Sequence, residues 1–214
     1  MRPPQSWRRA RVTIAIAVAT ALAWLIPLLL GARPSAVNWS AFIPGRFGGA
    51  ESGQAMAPLF LTPLTATLAH ADFIHLGLNL LILLFCGRSV ENVLGPLALG
   101  ILYVAGAYAA AAAQFLLDPM PMIGASGAIS AVLAAYTMLF GRNRAKVAHP
   151  TLALWLNALW VGAAWVGLQL LVGFAINSAA GPVGLRVAIA AHVGGFLVGL
   201  LLAKPLLLLR YRKA

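Results

Sequence analysis

The sequence predicts an all-α, polytopic membrane protein built as a bundle of six transmembrane helices. Three observations predict it. Charged residues make up 9% of the 214 residues and hydrophobic residues 62%, whereas a soluble domain carries roughly a quarter charged residues. The mean hydropathy is +0.91. The apolar residues also fall in runs long enough to cross a hydrocarbon core about 30 Å thick. A soluble fold of this composition would lack polar surface to face water, a difficulty that lipid removes.

Taken in order, the spans fall at about 12–30, 73–94, 96–117, 126–140, 152–176 and 185–209, within a single domain over 1–214. The first follows Arg2, Arg8, Arg9 and Arg11 and so resembles a signal peptide. It is long enough to span, and no small-residue cleavage site clearly follows, so it reads as a retained helix. Asp72 is placed to N-cap the second span. Residues 31–69 form a long connection containing Trp39, Phe42, Phe47, Met56 and Phe60. It is too apolar for a free linker and is expected to lie in the membrane interface.

Net charge is +11, but no basic patch interleaved with aromatics accompanies it, so nucleic acid is not an expected partner. The basic residues instead report orientation. With the N-terminus inside, twelve of the 15 Lys and Arg are cytoplasmic, and Arg33, Arg46 and Arg186 are outside. That asymmetry predicts both termini in the cytoplasm. Cys86 is the lone cysteine, which excludes an intramolecular disulfide and a thiolate metal cage; it reads as a small buried hydrophobe.

The fourth span is short. Its 15 residues reach about 22 Å, less than the hydrocarbon thickness. With Arg142 and Arg144 at its cytoplasmic end, its other end must start below the membrane surface, and segment 118–124 must dip to meet it. Irregular backbone at that depth must be buried in protein or line a wet cavity. A water-filled cavity open to the outside is the expectation.

Polar groups inside spans default to functional hypotheses. Ser126 begins the fourth helix within Gly124-Ala125-Ser126-Gly127. A helix N-terminus favours negative charge, which suits an alkoxide and an oxyanion; the bland reading is an N-cap serine. His192 shares a helix face with Gly195 and Gly199, and glycines there permit close contact with the fourth helix at Gly127, Ala131 and Ala135. It lies about 10 Å below a helix start near Leu185. A neutral histidine can take the serine proton, and no acid falls in the last three spans, so the pair is a Ser-His dyad. His75 and Asn79, four residues apart, supply N–H donors for an oxyanion hole or interhelical hydrogen bonds. A metal at His70, His75 and Asn79 is disfavoured without acidic or thiolate ligands, and no cofactor is expected.

These motifs together resemble the rhomboid intramembrane serine proteases of the basic six-helix bacterial type. The resemblance covers about residues 10–210. It rests on the run from His70 to Asn79, on Gly87, Glu91 and Gly95, on Gly124 to Gly127, and on Ala191-His192 with Gly195 and Gly199. It implies Ser126 as nucleophile, His192 as base, His75 and Asn79 as oxyanion contributors and Glu91 as a structural residue. It further implies transmembrane protein substrates and a multi-pass location in a bacterial cell membrane. Leu61-Thr62 stands where many members have Trp-Arg, and Ser130 where many have an aromatic packed on the catalytic histidine. Ser130 is expected to face the sixth helix, there to hold His192 by a hydrogen bond or to bond back to its own helix. An inactive rhomboid-like binding protein is the alternative; a transporter would need repeats that are not seen.

Overall fold

The structure is a computed structural model describing residues 6–49, 55–118, 120–141, 149–180 and 188–212. Nine α-helices are described: α1 (Arg11–Leu29), α2 (Arg33–Ser40), α3 (Thr62–Thr65), α4 (Phe73–Ile82), α5 (Arg88–Leu94), α6 (Pro96–Leu117), α7 (Ser126–Phe140), α8 (Pro150–Ala180) and α9 (Ile189–Tyr211). A π-turn at Leu83–Gly87 joins α4 to α5. By length and composition, five stretches can cross a membrane: Arg11–Leu29, Phe73–Leu94, Pro96–Leu117, Thr151–Leu171 and Ile189–Tyr211. The sixth, α7, has its expected bounds but only 15 residues, so a count by length stops at five. Helix α8 is longer than expected, at 31 residues. The orientation argument rests partly on Arg2, Arg142, Arg144, Lys146, Arg186 and Lys213, which lie outside the described residues.

The short helix is the centre of the bundle. Eleven of its 15 residues are buried, which accounts for an apolar sequence on every side. Small residues let its neighbours close in. A Cβ on Gly106 of α6 would lie 2.7 Å from the Ala131 Cβ, and one on Gly127 would lie 2.5 Å from the Ala110 Cβ. Contacts between Gly195 and Gly127, and between Gly199 and Ala131, climb together, so α7 and α9 run parallel. Their pairing is the one expected from the spacing of small residues.

Helix α1 is fastened at the opposite end of the bundle from Ser126. Glu91, 1% exposed, accepts from the Val12 N (2.9 Å), the Thr13 N (2.8 Å) and the Thr13 Oγ1 (2.7 Å). The two backbone N–H groups are orphan donors of the first turn of α1, and a carboxylate also suits the positive end of that helix. Gly87 lets α1 approach: its added Cβ would touch the Thr13 side chain at 3.0 Å. The Gly87 and Glu91 motif is therefore a dock for the first helix. Cys86, beside it, is buried.

The connection over 31–69 is partly folded, with α2, α3 and 3₁₀ turns at Pro44–Gly48, Leu59–Leu61 and Ala66–Leu68. Phe42 is buried, while Trp39, Phe47 and Phe60 are exposed, as suits a segment lying against apolar surroundings.

Candidate active site

Ser126 opens α7 from a loop that Gly124 makes possible. Gly124 has φ +112°, a conformation that favours glycine, and a Cβ there would lie 2.7 Å from Cε1 and Nε2 of His75. The loop's backbone polar groups find partners in the 31–72 segment. Phe42 and Met122 exchange hydrogen bonds of 3.1 and 2.9 Å, and the Gly124 N donates to the Ala66 O at 2.8 Å. The Ala125 N donates to the His70 Nε2 at 3.4 Å. The described residues of 118–124 are half-buried or exposed, and burial begins at Ala125; these hydrogen bonds pair the loop's backbone where it leads into α7. Ser126 itself is 7% exposed.

His70 fixes that loop. It is fully buried, and burial, with His75 beside it, pushes its imidazole down to about 3. The ring is therefore neutral, with Nε2 free to accept the Ala125 amide. His75 packs edge-on against it, with centroids 4.9 Å apart. The His75 Nδ1 accepts a long hydrogen bond, 3.5 Å, from the Ala71 N. Its proton then belongs on Nε2, the edge that meets Gly124, two residues before the serine. Asp72 caps α4 as expected, accepting from the His75 N at 2.8 Å.

Asn79, 1% exposed, donates from Nδ2 to the His75 O at 2.8 Å. One of its two amide N–H groups is thereby committed within α4 and the other is not.

His192 is the fourth residue of α9, about 5 Å below the helix start rather than 10 Å, because the described helix begins at Ile189. It is 3% exposed. Among the described residues neither ring nitrogen has a hydrogen-bond partner, so no hydrogen bond joins it to Ser126. The two residues flank the tightest crossing of the bundle: Gly127 lies against Ala191 and Gly195.

The direct bond from Ser130 to His192, one of its two expected roles, is not formed. The Ser130 hydroxyl donates back to the Ser126 O at 2.7 Å and accepts from the Trp165 Nε1 at 2.8 Å. Trp165, on α8, stands perpendicular to the His192 ring, at 88° and 6.2 Å between centroids. An aromatic does pack on His192, but it arrives from another helix. The connection lacking Trp-Arg is held by other groups. The Arg33 guanidinium donates to the carbonyls of His70 and Ala71 and lies 5.3 Å from the Trp24 ring centroid. The Arg46 Nη1 donates to the Ala57 O at 3.1 Å. The Tyr108 hydroxyl donates to the Phe60 O at 2.9 Å.

A family model described as the rhomboid domain matches residues 57–209, which hold His70, His75, Asn79, Ser126, Ser130, Trp165 and His192. The chain belongs to the rhomboid family. Among its relatives, RHOMBOID-like protein 2 of Arabidopsis thaliana is 32% identical over 139 residues, 64% of this chain and 39% of that protein. Rhomboid-related protein 3 of Homo sapiens is 38% identical over 74 residues, 34% of this chain and 18% of that protein. Rhomboid protease GluP of Bacillus subtilis (strain 168) is 32% identical over 98 residues, 46% of this chain and 19% of that protein. The matches thus take in well under half the length of each relative.

Around the site of this rhomboid, the sequence reading missed the roles of three residues. His70 was legible as a second histidine beside His75 and as the start of the run to Asn79, but the only role weighed for it was that of a metal ligand. Arg33 was legible as one of few basic residues in the first connection. Trp165 carried no signal, because a tryptophan in a span is more often packing.

Proposed function

We propose that this rhomboid is an intramembrane serine endopeptidase, cutting other transmembrane proteins near the end of a span with a Ser126-His192 dyad. The observation that carries the reading is the Gly127–Gly195 backbone contact, which fixes a helix-start serine and a histidine on two adjoining parallel helices. In this reading His192 takes the proton of Ser126 as Oγ attacks the scissile carbonyl carbon. The oxyanion meets free N–H groups at the start of α7, the His75 Nε2–H and the uncommitted Asn79 N–H. The C–N bond breaks as His192 returns the proton to the departing amine, and water then hydrolyses the acyl-enzyme through the same base. Asp72 and Glu91 are occupied as helix caps, in keeping with a dyad rather than a triad. The charge asymmetry of the sequence supports both termini on the cytoplasmic side of the membrane.

One observation favours a second reading, an inactive rhomboid that binds membrane proteins: the Ser126-His192 hydrogen bond is absent. Apo catalytic hydrogen bonds are often long and tighten with substrate, so the protease reading is preferred. Labelling with a serine-reactive fluorophosphonate separates the two. The wild type is expected to label and Ser126→Ala to stay unlabelled. A folded wild type that neither labels nor cleaves would leave only the binding role.

A further inference from the structure

We propose that Trp165 is the positioning residue for the His192 imidazole, held in place by Ser130; this rests on the Ser126-His192 reading. Among the described residues neither His192 nitrogen has a hydrogen-bond partner, and no carboxylate among them orients the ring. In its absence, something else must choose the rotamer that aims one nitrogen at Ser126. The indole of Trp165 is the ring in contact with it, edge to face.

The indole is itself fixed. Trp165 is 5% exposed, and its Nε1–H can only donate. Its acceptor, the Ser130 Oγ, is at 2.8 Å. That hydroxyl spends its single proton on the Ser126 carbonyl at 2.7 Å, which leaves only lone pairs toward the indole. Both hydrogen bonds therefore have one possible direction. The chain runs from the Ser126 backbone through Ser130 to Trp165 and ends against His192. The base is thus oriented by reference to the residue it serves, although ring and base sit on different helices.

Trp165 also fixes where α8 must be. Helix α8 meets α9 through Trp165 and through Gly162, whose added Cβ would lie 3.1 Å from the Phe196 ring. Between these two helices is an apolar groove of about 480 Å³, with Trp165 and His192 in its wall. Movement of α8 would carry the indole off His192, so the position of α8 sets the orientation of the base.

The test uses full-length protein in lipid and one transmembrane substrate. Trp165→Ala is expected to lower kcat about 30- to 100-fold with KM within about threefold. Trp165→Phe keeps a ring and should recover most of that loss. Ser130→Ala and Trp165→Phe break the same hydrogen bond, so the double variant should be no worse than the poorer single one. Ser130→Tyr in the Trp165→Ala background offers His192 a ring from α7 and should restore activity at least about fivefold over Trp165→Ala. Thermal unfolding is measured for each. If Trp165→Ala keeps wild-type kcat, or if its loss follows thermal stability and neither ring rescues it, the positioning role is overturned and Trp165 is packing. If cleavage by the wild type is indifferent to Ser126→Ala, the dyad reading fails and the positioning role fails with it.

Discussion

Gly195→Ala should uncouple the candidate dyad by a single methyl group. The added Cβ would lie 2.9 Å from the carbonyl carbon of Gly127 and closer still to its oxygen. Ordinary van der Waals contact begins near 3.4 Å, and both neighbours are backbone, with no rotamer to escape into. Helices α7 and α9 must part by on the order of 1 Å, at a cost of about 1–3 kcal/mol. Gly127 adjoins Ser126 and Gly195 lies one turn from His192, so the added separation falls between nucleophile and base. A misplacement of that size costs about 100-fold in rate. Gly199→Ala drives a similar wedge, its Cβ 2.6 Å from the Ala131 Cα, but two turns from His192. It should lose comparable stability and less activity. Gly100→Ala, with nothing within 4 Å, is the control. Single-turnover cleavage of one transmembrane substrate in lipid, beside thermal unfolding of each variant, decides the matter. If Gly195→Ala cleaves within about threefold of wild type, the α7–α9 contact does not set the distance between Ser126 and His192.

Glu91→Ala should lower stability by about 3–5 kcal/mol, since three donors of α1 lose a charged acceptor, with kcat per folded molecule unchanged; unfolding curves and active-site titration check this. His70→Ala leaves the Ala125 N–H without its acceptor and should cost about 1–2 kcal/mol and at least about tenfold in kcat, read from melting and cleavage together. Asn79→Ala should reduce kcat about ten- to a thousandfold, on the scale of one oxyanion donor, with KM little changed; a variant that only melts earlier would assign Asn79 to its bond with the His75 carbonyl.

The spans were legible because lipid enforces them: an apolar run of sufficient length has few other places to go. The short fourth helix was legible for the same reason, since its length conflicts with membrane thickness. Packing of α7 on α9 could be read from glycine and alanine at four-residue spacing, because close helix contact in lipid needs small residues. What stayed hidden depends on distant partners. The loop leading into Ser126 is held by Phe42, Ala66 and His70, all more than 50 residues upstream, and no local pattern announces that pairing. The dock for α1 pairs Glu91 with Val12 and Thr13, for which the sequence offers a buried acid but not its donors. Trp165 meets His192 across 27 residues and is held there by a third side chain, and a tryptophan in an apolar run carries no mark of it.

The same constraint explains how the work is divided among helices. In lipid there is little hydrophobic drive between helices, so close contact depends on shape and on polar groups. Helices α6, α7 and α9 meet through glycine and alanine, and such contacts fix backbone distance while leaving side-chain rotamers free. Distance nearly suffices for Ser126, whose short side chain has a single torsion. It does not suffice for His192, a longer side chain with a free second torsion and no hydrogen-bond partner among the described residues. Orientation therefore has to come from a bulky group, and a ring large enough to supply it cannot sit in the α7–α9 seam, where a methyl group at Gly195 already collides. Position 130 lies at the edge of that seam, with its Cβ 3.4 Å from an added Cβ on Gly195. There this chain has a serine, small enough for the seam and polar enough to hold an indole delivered from α8.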